Sequence, residues 1–240
     1  MHEKLFIGWT PELIAGRLKH QDQLPTVCHE SIYQYIYCCA HHLIASLPRH
    51  HRKQKPKHPY RKSGERIKNR TGLDQRPKAT TTRREYGHWE ADMIVAGDRN
   101  HGLKGLGERK SRLTHISLLP YKTAAATKQV MRRRLHAYPA PLTQSITYDN
   151  GSENTCLEEL NEALETTSFF CAPYHSGEKG SVEQVNGCIR RFFPKSTNFH
   201  ELSHGEINRI EKLLNHRSRK YLNDRTPYEI FREARGALEG

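Results

Sequence analysis

The chain has 240 residues, with 39 Lys and Arg against 26 Asp and Glu, a formal net charge of +13 and a hydrophobic content of 35%. No run of about 18 apolar residues is available to cross a membrane, and the six cysteines are scattered rather than set in the framework of a small disulfide-stapled secreted domain. A positive excess of this size points to a polyanion, nucleic acid above all, and the low apolar content to a chain that is partly solvated or ordered by a partner.

The opening MHEKLFIGWTPE lacks the apolar core of a secretory leader, so a cytoplasmic protein with reduced thiols is expected. WTPELIAGRLKH reads as a helix. Thr10 is its N-cap, Pro11 its first helical position and Glu12 an acid in the first turn, with Leu13, Ile14 and Leu18 as the apolar face. After a short polar link, CHESIYQYIYCCAHH predicts a second helix with Ile32, Tyr35, Ile36 and Cys39 on one side. Two short helices beside a basic segment suit a helix-turn-helix DNA-binding unit, or equally a helical hairpin packed on a main domain. Two helices are too few to bury a core alone. This module is expected over residues 1–47. Cys28, His29, Cys38, Cys39, His41 and His42 are metal-ligating types, but they lack the paired spacing of a zinc site.

A basic linker or arm follows over 48–84. Within 49–84 stand 14 Lys and Arg against two acids, Glu65 and Asp74, a net +12 that is nearly all of the chain's excess. Apolar residues are almost absent, and Pro56, Pro59, Gly64, Gly72 and Pro77 break any long period. Such a stretch cannot bury a core. Its cation density suits phosphate contact, with a solubilising tether as the plainer reading.

From residue 85 to 240 the composition becomes globular. GHWEADMIVAG alternates, with Trp89, Ala91, Met93 and Val95 on one face and His88, Glu90 and Asp92 on the other. RLTHISLLPY predicts a further strand, and the Gly-rich stretch 97–112 between them is either a strand or only a hairpin turn. TAAATKQVMRRRLHAY predicts a helix, QSITYDNG a strand ending at Asp149, TCLEELNEALE a helix and TTSFFCAPY a strand and loop. GEKGSVEQVNGCIRR then predicts a helix capped by Ser181, with Val182, Val185, Ile189 and Phe192 as its apolar stripe and Glu183 in its first turn. The pattern is α/β, a mixed sheet with helices on its faces.

Three carboxylates fall on a strand, a strand end and a helix start. Each has an ordinary reading: Asp149 as a turn residue in DNG, Glu183 as an acid favoured by the helix dipole, and Asp92 as one of two strand acids with Glu90 as its rival. Brought together, however, like charges would raise one another's pKa unless a cation intervened. Mg²⁺ suits oxygen ligands and retains positions for water and phosphate. A basic protein with such a cluster is a candidate for phosphoryl transfer on nucleic acid.

The order GHWEADMI, TYDNGSE, APYHSGEKGSVEQVNGCIRRFFPK and LNHRSRKYLNDRTPYEIF, over about residues 87–231, resembles the transposases of the insertion sequence 30 family. Residues 9–37 resemble the helix-turn-helix region that precedes their catalytic domain. The resemblance implies an RNase H-like fold of the retroviral-integrase kind, a five-stranded mixed sheet flanked by helices. It implies a catalytic triad of Asp92, Asp149 and Glu183, with 33 residues between the last two, and so decides for Asp92 over Glu90. The triad would hold Mg²⁺ or Mn²⁺, expected as two ions. Lys179, Asn186, Arg190 and Arg191 are then candidates for DNA contact, or solvate the helix; His88 and His175 read as structural, with assistance to the site as the alternative. The implied activity is DNA cleavage and strand transfer on an element's terminal repeats and a target DNA, by a homo-oligomer in the bacterial cytoplasm at the nucleoid. Two departures stand out. Gly177 replaces a Trp common in the loop before Glu183, and the chain begins too late for the family's further N-terminal helix-turn-helix. A shortened member is therefore expected, with a non-catalytic DNA-binding regulator as the alternative. A nuclease sharing the fold is a third reading, which the arm and helical module disfavour.

Overall fold

The structure is a computed structural model that describes residues 1–22, 27–47, 71–96, 101–149, 151, 154, 158–171 and 180–239. The chain divides into two compact units, Met1–Tyr60 with His216–Ile230, and Arg61–Asn215 with Phe231–Gly240.

The first unit begins with α1 (His2–Phe6), α2 (Pro11–Asp22) and α3 (His29–Cys38), followed by a 3₁₀ turn at His41–Ser46. Thr10 caps α2 as expected, its Oγ1 accepting from Leu13 N at 3.4 Å. Ile14, Ile32 and Ile36 are buried, joined by Leu5 and Trp9 from the opening segment and Leu43 and Leu47 from the turn. The sequence reading missed these flanking contributors, which supply the core that two helices lack. Tyr35 and Cys39, expected on the apolar face of α3, are exposed. Tyr35 sits at the rim, with its hydroxyl 3.4 Å from His2 Nε2 and its ring stacked on that imidazole, and Cys39 lies just past the helix end.

Residues 216–230, inside the expected 85–240 segment, pack with these helices. Arg17 makes a forked pair with Glu229, at 2.9 and 2.5 Å, and also donates to Asp224 O at 3.3 Å. Gly16 permits this approach, because a Cβ there would stand 2.4 Å from the Asp224 carboxyl. Glu229 is also half of a capping box: it accepts from Thr226 N at 2.8 Å, while Thr226 Oγ1 accepts from Glu229 N at 3.2 Å. Thr226 and Pro227 thus start α9 (Pro227–Glu239).

The second unit has a short helix, α4 (Lys78–Thr82), ahead of a five-stranded sheet in the order β3-β2-β1-β4-β5. β1 (His88–Val95), β2 (Gly102–Glu108) and β3 (Thr114–Leu119) are antiparallel; β4 (Ser145–Tyr148) and β5 (Thr167–Phe170) run parallel to β1. The Gly-rich stretch is therefore a full strand. Its glycines fit the register: Gly107 and Gly105 stand opposite Glu90 and Asp92, leaving that part of the face to the acidic side chains. The chain is a mixed five-stranded α/β fold, as expected.

Period-two alternation divides the core in two. On one face Trp89, Ala91, Leu106, Ile146 and Tyr148 pack with α5 (Ala124–Leu135), α6 (Glu158–Leu164) and Phe231. On the other, Ile94, Leu103 and Ile116 meet α7 (Gly180–Phe192) and α8 (His204–Asn215), chiefly through Ile189, Phe193, Ile207 and Leu214. α7 starts at Gly180, one residue before the expected cap Ser181.

Both outer strands have backbone partners. Asn215 bonds Thr114 N and O at 2.9 and 2.7 Å, and Glu211 and Arg134 take Ile116 N and O at 2.7 Å each. At the opposite edge, Phe170 N donates to Thr71 O at 2.9 Å. The far end of the expected arm is thus stitched to β5; residues 48–70 of that arm lie outside the described residues. Among the described residues no helix is long and apolar enough to cross a membrane.

Candidate active site

Parallel pairing of β1 with β4 sets Glu90 against Thr147. Two residues further on, β1 carries Asp92, and Asp149 stands just past the end of β4. Strand ends of this kind in α/β sheets are where sites gather, because the backbone there opens into a crevice.

Each of these carboxylates is met by an asparagine amide. Asn186 of α7 donates from Nδ2 to Asp92 Oδ2. Asn154 donates from Nδ2 to Asp149 Oδ1 at 2.8 Å, and Gly151 N approaches the same oxygen at 3.4 Å. Asn186 Oδ1 is buried without a hydrogen-bond partner, an orphaned acceptor beside Asp92 where a hard cation is the matching group. The donors beside α7 therefore fit a divalent cation: the Asp92 carboxylate held by a neutral amide, next to an unused carbonyl oxygen. Among the described residues no group of three or more His, Cys, Asp or Glu side chains gathers as a metal site.

Glu183 lies on α7 three residues before Asn186, one turn away along the helix. Its side chain lies outside the described residues, as does all of Lys179. Arg190 is half-buried, donating from Nη2 to Val95 O at 2.6 Å with its guanidinium 5.7 Å from the centre of the Phe199 ring; burial lowers its pKa. Arg191 is exposed.

Glu90 is differently placed. It is fully buried and paired with the Arg109 guanidinium, which also donates from Nε to Thr80 O at 3.2 Å. Burial pushes the Arg109 pKa down, and the Glu90 carboxylate opposes that shift. His88 is held by Ser145 Oγ at 2.8 Å, in keeping with a structural role; His175 lies outside the described residues. Cys28, Cys38 and Cys39 are exposed free thiols.

Sequence reasoning missed Asn154 and Lys104. Lys104 is buried on β2 and donates from Nζ to Asn154 Oδ1 at 3.1 Å. A lysine flanked by glycines and leucines in a strand was the only available signal, and its partner lies 50 residues on.

No protein-family model matches the chain. It is 34% identical to the transposase InsI of insertion sequence element IS30A of Escherichia coli strain K12, over 95% of this chain and 62% of that protein. It is 32% identical to the transposase of element IS1086 of Cupriavidus metallidurans, over 93% of this chain and 68% of the relative, and 32% identical to that of element IS4351 of Bacteroides fragilis, over 94% and 70%. The chain thus spans 62% of the length of the E. coli relative. Among solved structures, the catalytic core domain of BIV integrase superimposes with a TM-score of 0.50 at 19% identity, over 64% of this chain and 99% of that one. That likeness shows the fold, the RNase H-like integrase core.

Proposed function

Since the chain belongs to the insertion sequence 30 family of transposases, we propose that it cleaves DNA at the ends of a mobile element and transfers the freed strand to a target. Asp92, Asp149 and Glu183 are the carboxylates of the reaction. The observation that carries this reading is the tie of α7 to Asp92 through Asn186, one turn from Glu183, beside the parallel pairing of β1 with β4, whose next residues lead to Asp92 and Asp149.

The three carboxylates would hold divalent cations, Mg²⁺ or Mn²⁺, which when bound activate an attacking oxygen and stabilise a leaving one. The chain's own residues orient the site. Asn186 and Asn154 hold two carboxylates by N–H donation, and Arg191 with Lys179 offers positive charge to the DNA backbone. Arg190 supports α7 against β1 through Val95. Cleavage breaks a P–O3′ bond by addition of water and leaves a 3′-hydroxyl. That hydroxyl then attacks a target phosphodiester, forming a new P–O bond as the target's own 3′-oxygen leaves, with no covalent protein intermediate. The N-terminal helices and the arm add sequence-independent or end-specific affinity, and a homo-oligomer in the bacterial cytoplasm brings two ends together.

The test is a cleavage assay on duplexes carrying an element's terminal repeats, with and without Mg²⁺. Metal-dependent nicking at the repeat ends by wild type, lost in Asp92→Asn, is the expected result. DNA binding without cleavage by wild type would favour the non-catalytic regulator instead.

A further inference from the structure

Lys104 is only 1% exposed, on the Trp89 face of the sheet. A buried ammonium is tolerated only where its protons are matched. Its Nζ donates to Asn154 Oδ1 at 3.1 Å and lies 5.8 Å from the centre of the Tyr148 ring. Asn154, also 1% exposed, donates from Nδ2 to Asp149 Oδ1 at 2.8 Å and to Asp149 O at 3.4 Å.

This series has one polarity. An ammonium carries donors and no acceptor, so only the amide oxygen of Asn154 suits it. The amide NH₂ is then directed at Asp149. The reverse orientation would set N–H groups against the ammonium and a carbonyl oxygen against the carboxylate, two repulsive contacts at once. A neutral residue at position 104 would remove one of the two contacts that exclude the reverse orientation, leaving Asp149 alone to hold it.

We propose that Lys104, acting through Asn154, is a positioning residue: it fixes the amide orientation in which Asn154 presents the Asp149 carboxylate to the cation. The proposal rests on the reading of Asp149 as a cation ligand. Neither residue touches the reacting atoms. Outer groups that orient a ligand typically change metal affinity by about 10–100-fold when removed.

The test measures Mn²⁺ affinity by water-proton relaxation, and melting temperature in metal-free buffer, for the full chain. The variants are Lys104→Met, Asn154→Leu, their double variant, Lys104→Gln and Asp149→Asn. Methionine matches lysine in length and removes a buried charge but leaves Asn154 Oδ1 without its donor, so the metal-free melting temperature is expected to fall modestly while Mn²⁺ affinity falls about tenfold or more. Asn154→Leu should lose a similar factor, and the double variant no more than either single, because the two residues act in series. Glutamine keeps a polar group in the pocket, and so preserves the fold should methionine fail to. It also adds an acceptor, removes the ammonium's share in selecting the amide orientation, and should show a loss in the same direction. Wild-type Mn²⁺ affinity in the folded position-104 variants, or losses that multiply in the double variant, would overturn the proposal. Mn²⁺ affinity unchanged in Asp149→Asn would overturn the site reading itself, and this inference with it.

Discussion

Glu90 and Asp92 stand one pleat apart on the same face of β1, but Glu90 is closed into a buried pair with Arg109 while Asp92 accepts from the Asn186 amide. Two acids that the sequence leaves as rivals are thereby separated in chemistry. A carboxylate already matched by a guanidinium is poorly placed to serve a cation, since the arginine charge would repel it.

Glu90→Gln should therefore damage the fold. It leaves Arg109 buried with its charge uncompensated, and removing one member of a buried pair is destabilising by about 3–5 kcal/mol. Urea unfolding of wild type and variant checks this. A loss below about 1 kcal/mol, the range of exposed pairs, would mean that the pair is open to solvent.

Asp92→Asn should do the reverse, preserving the metal-free fold and abolishing the response to cations. Saturating Mg²⁺ or Mn²⁺ at 100 times its Kd stabilises a protein by about 2.7 kcal/mol when it binds only the folded state. Wild type should thus melt at a higher temperature with cation present, and Asp92→Asn should show no shift. A shift that survives in the variant would move the cation elsewhere.

The outline of the sheet is legible in the chain because it rests on local periodicity, whereas the choice of Asp92, Asp149 and Glu183 rests on the family resemblance. Alternation in GHWEADMIV sets the faces of β1, and the spacing Val185, Ile189 and Phe192 sets the buried side of α7. What was illegible depends on partners far apart in sequence. Nothing near Lys104 announces Asn154, and nothing near Arg17 announces Glu229, 212 residues away. The stretch around Gly105 carries few β-formers, and only its pairing between β1 and β3 makes it a strand. Tyr35 obeys the helical stripe of α3 but remains at the rim, since an amphipathic ring follows its hydroxyl partner rather than the pattern.

The Arg17–Glu229 pair makes the first unit sensitive to acid. The Arg17 side chain, with the Thr226 backbone N–H in support, holds the Glu229 pKa at about 2, against an ordinary value of 4.5. A depressed folded-state value contributes stability that is fully present above pH 4.5 and is lost as pH falls towards 2. Glu229→Gln should lower stability at neutral pH and flatten the acid limb between these values, as followed by circular dichroism during acid titration. An acid limb identical to wild type would show that the pair is broken in solution.

The arm should dominate sequence-independent DNA affinity. Each phosphate it neutralises adds roughly −0.9 to the slope of log affinity against log salt, and the 49–84 stretch carries a net +12. Deleting 49–70 spares the segment at Thr71 that bonds Phe170, so the sheet edge stays covered. Binding titrations at several salt concentrations should give a flatter slope for the deletion. An unchanged slope and affinity would reduce the arm to a tether.

Glu183 is decided by separating stability from chemistry. Glutamine keeps the size of glutamate and nearly its helix propensity, but removes the charge that a cation ligand needs. Were Glu183 only a first-turn acid in α7, the change would reduce stability by about 0.3–1 kcal/mol through the helix dipole and leave activity nearly intact. As the third carboxylate it should leave DNA affinity and the metal-free melting temperature close to wild type while cleavage of a terminal-repeat duplex falls by orders of magnitude. Asn186→Ala supplies the internal comparison: it removes the amide that joins α7 to Asp92, and should weaken cleavage less than Glu183→Gln because it removes a neutral amide and not a charged carboxylate. Melting, binding and cleavage are measured together on all three proteins. Cleavage retained in Glu183→Gln at a wild-type rate would remove Glu183 from the reaction and break the triad.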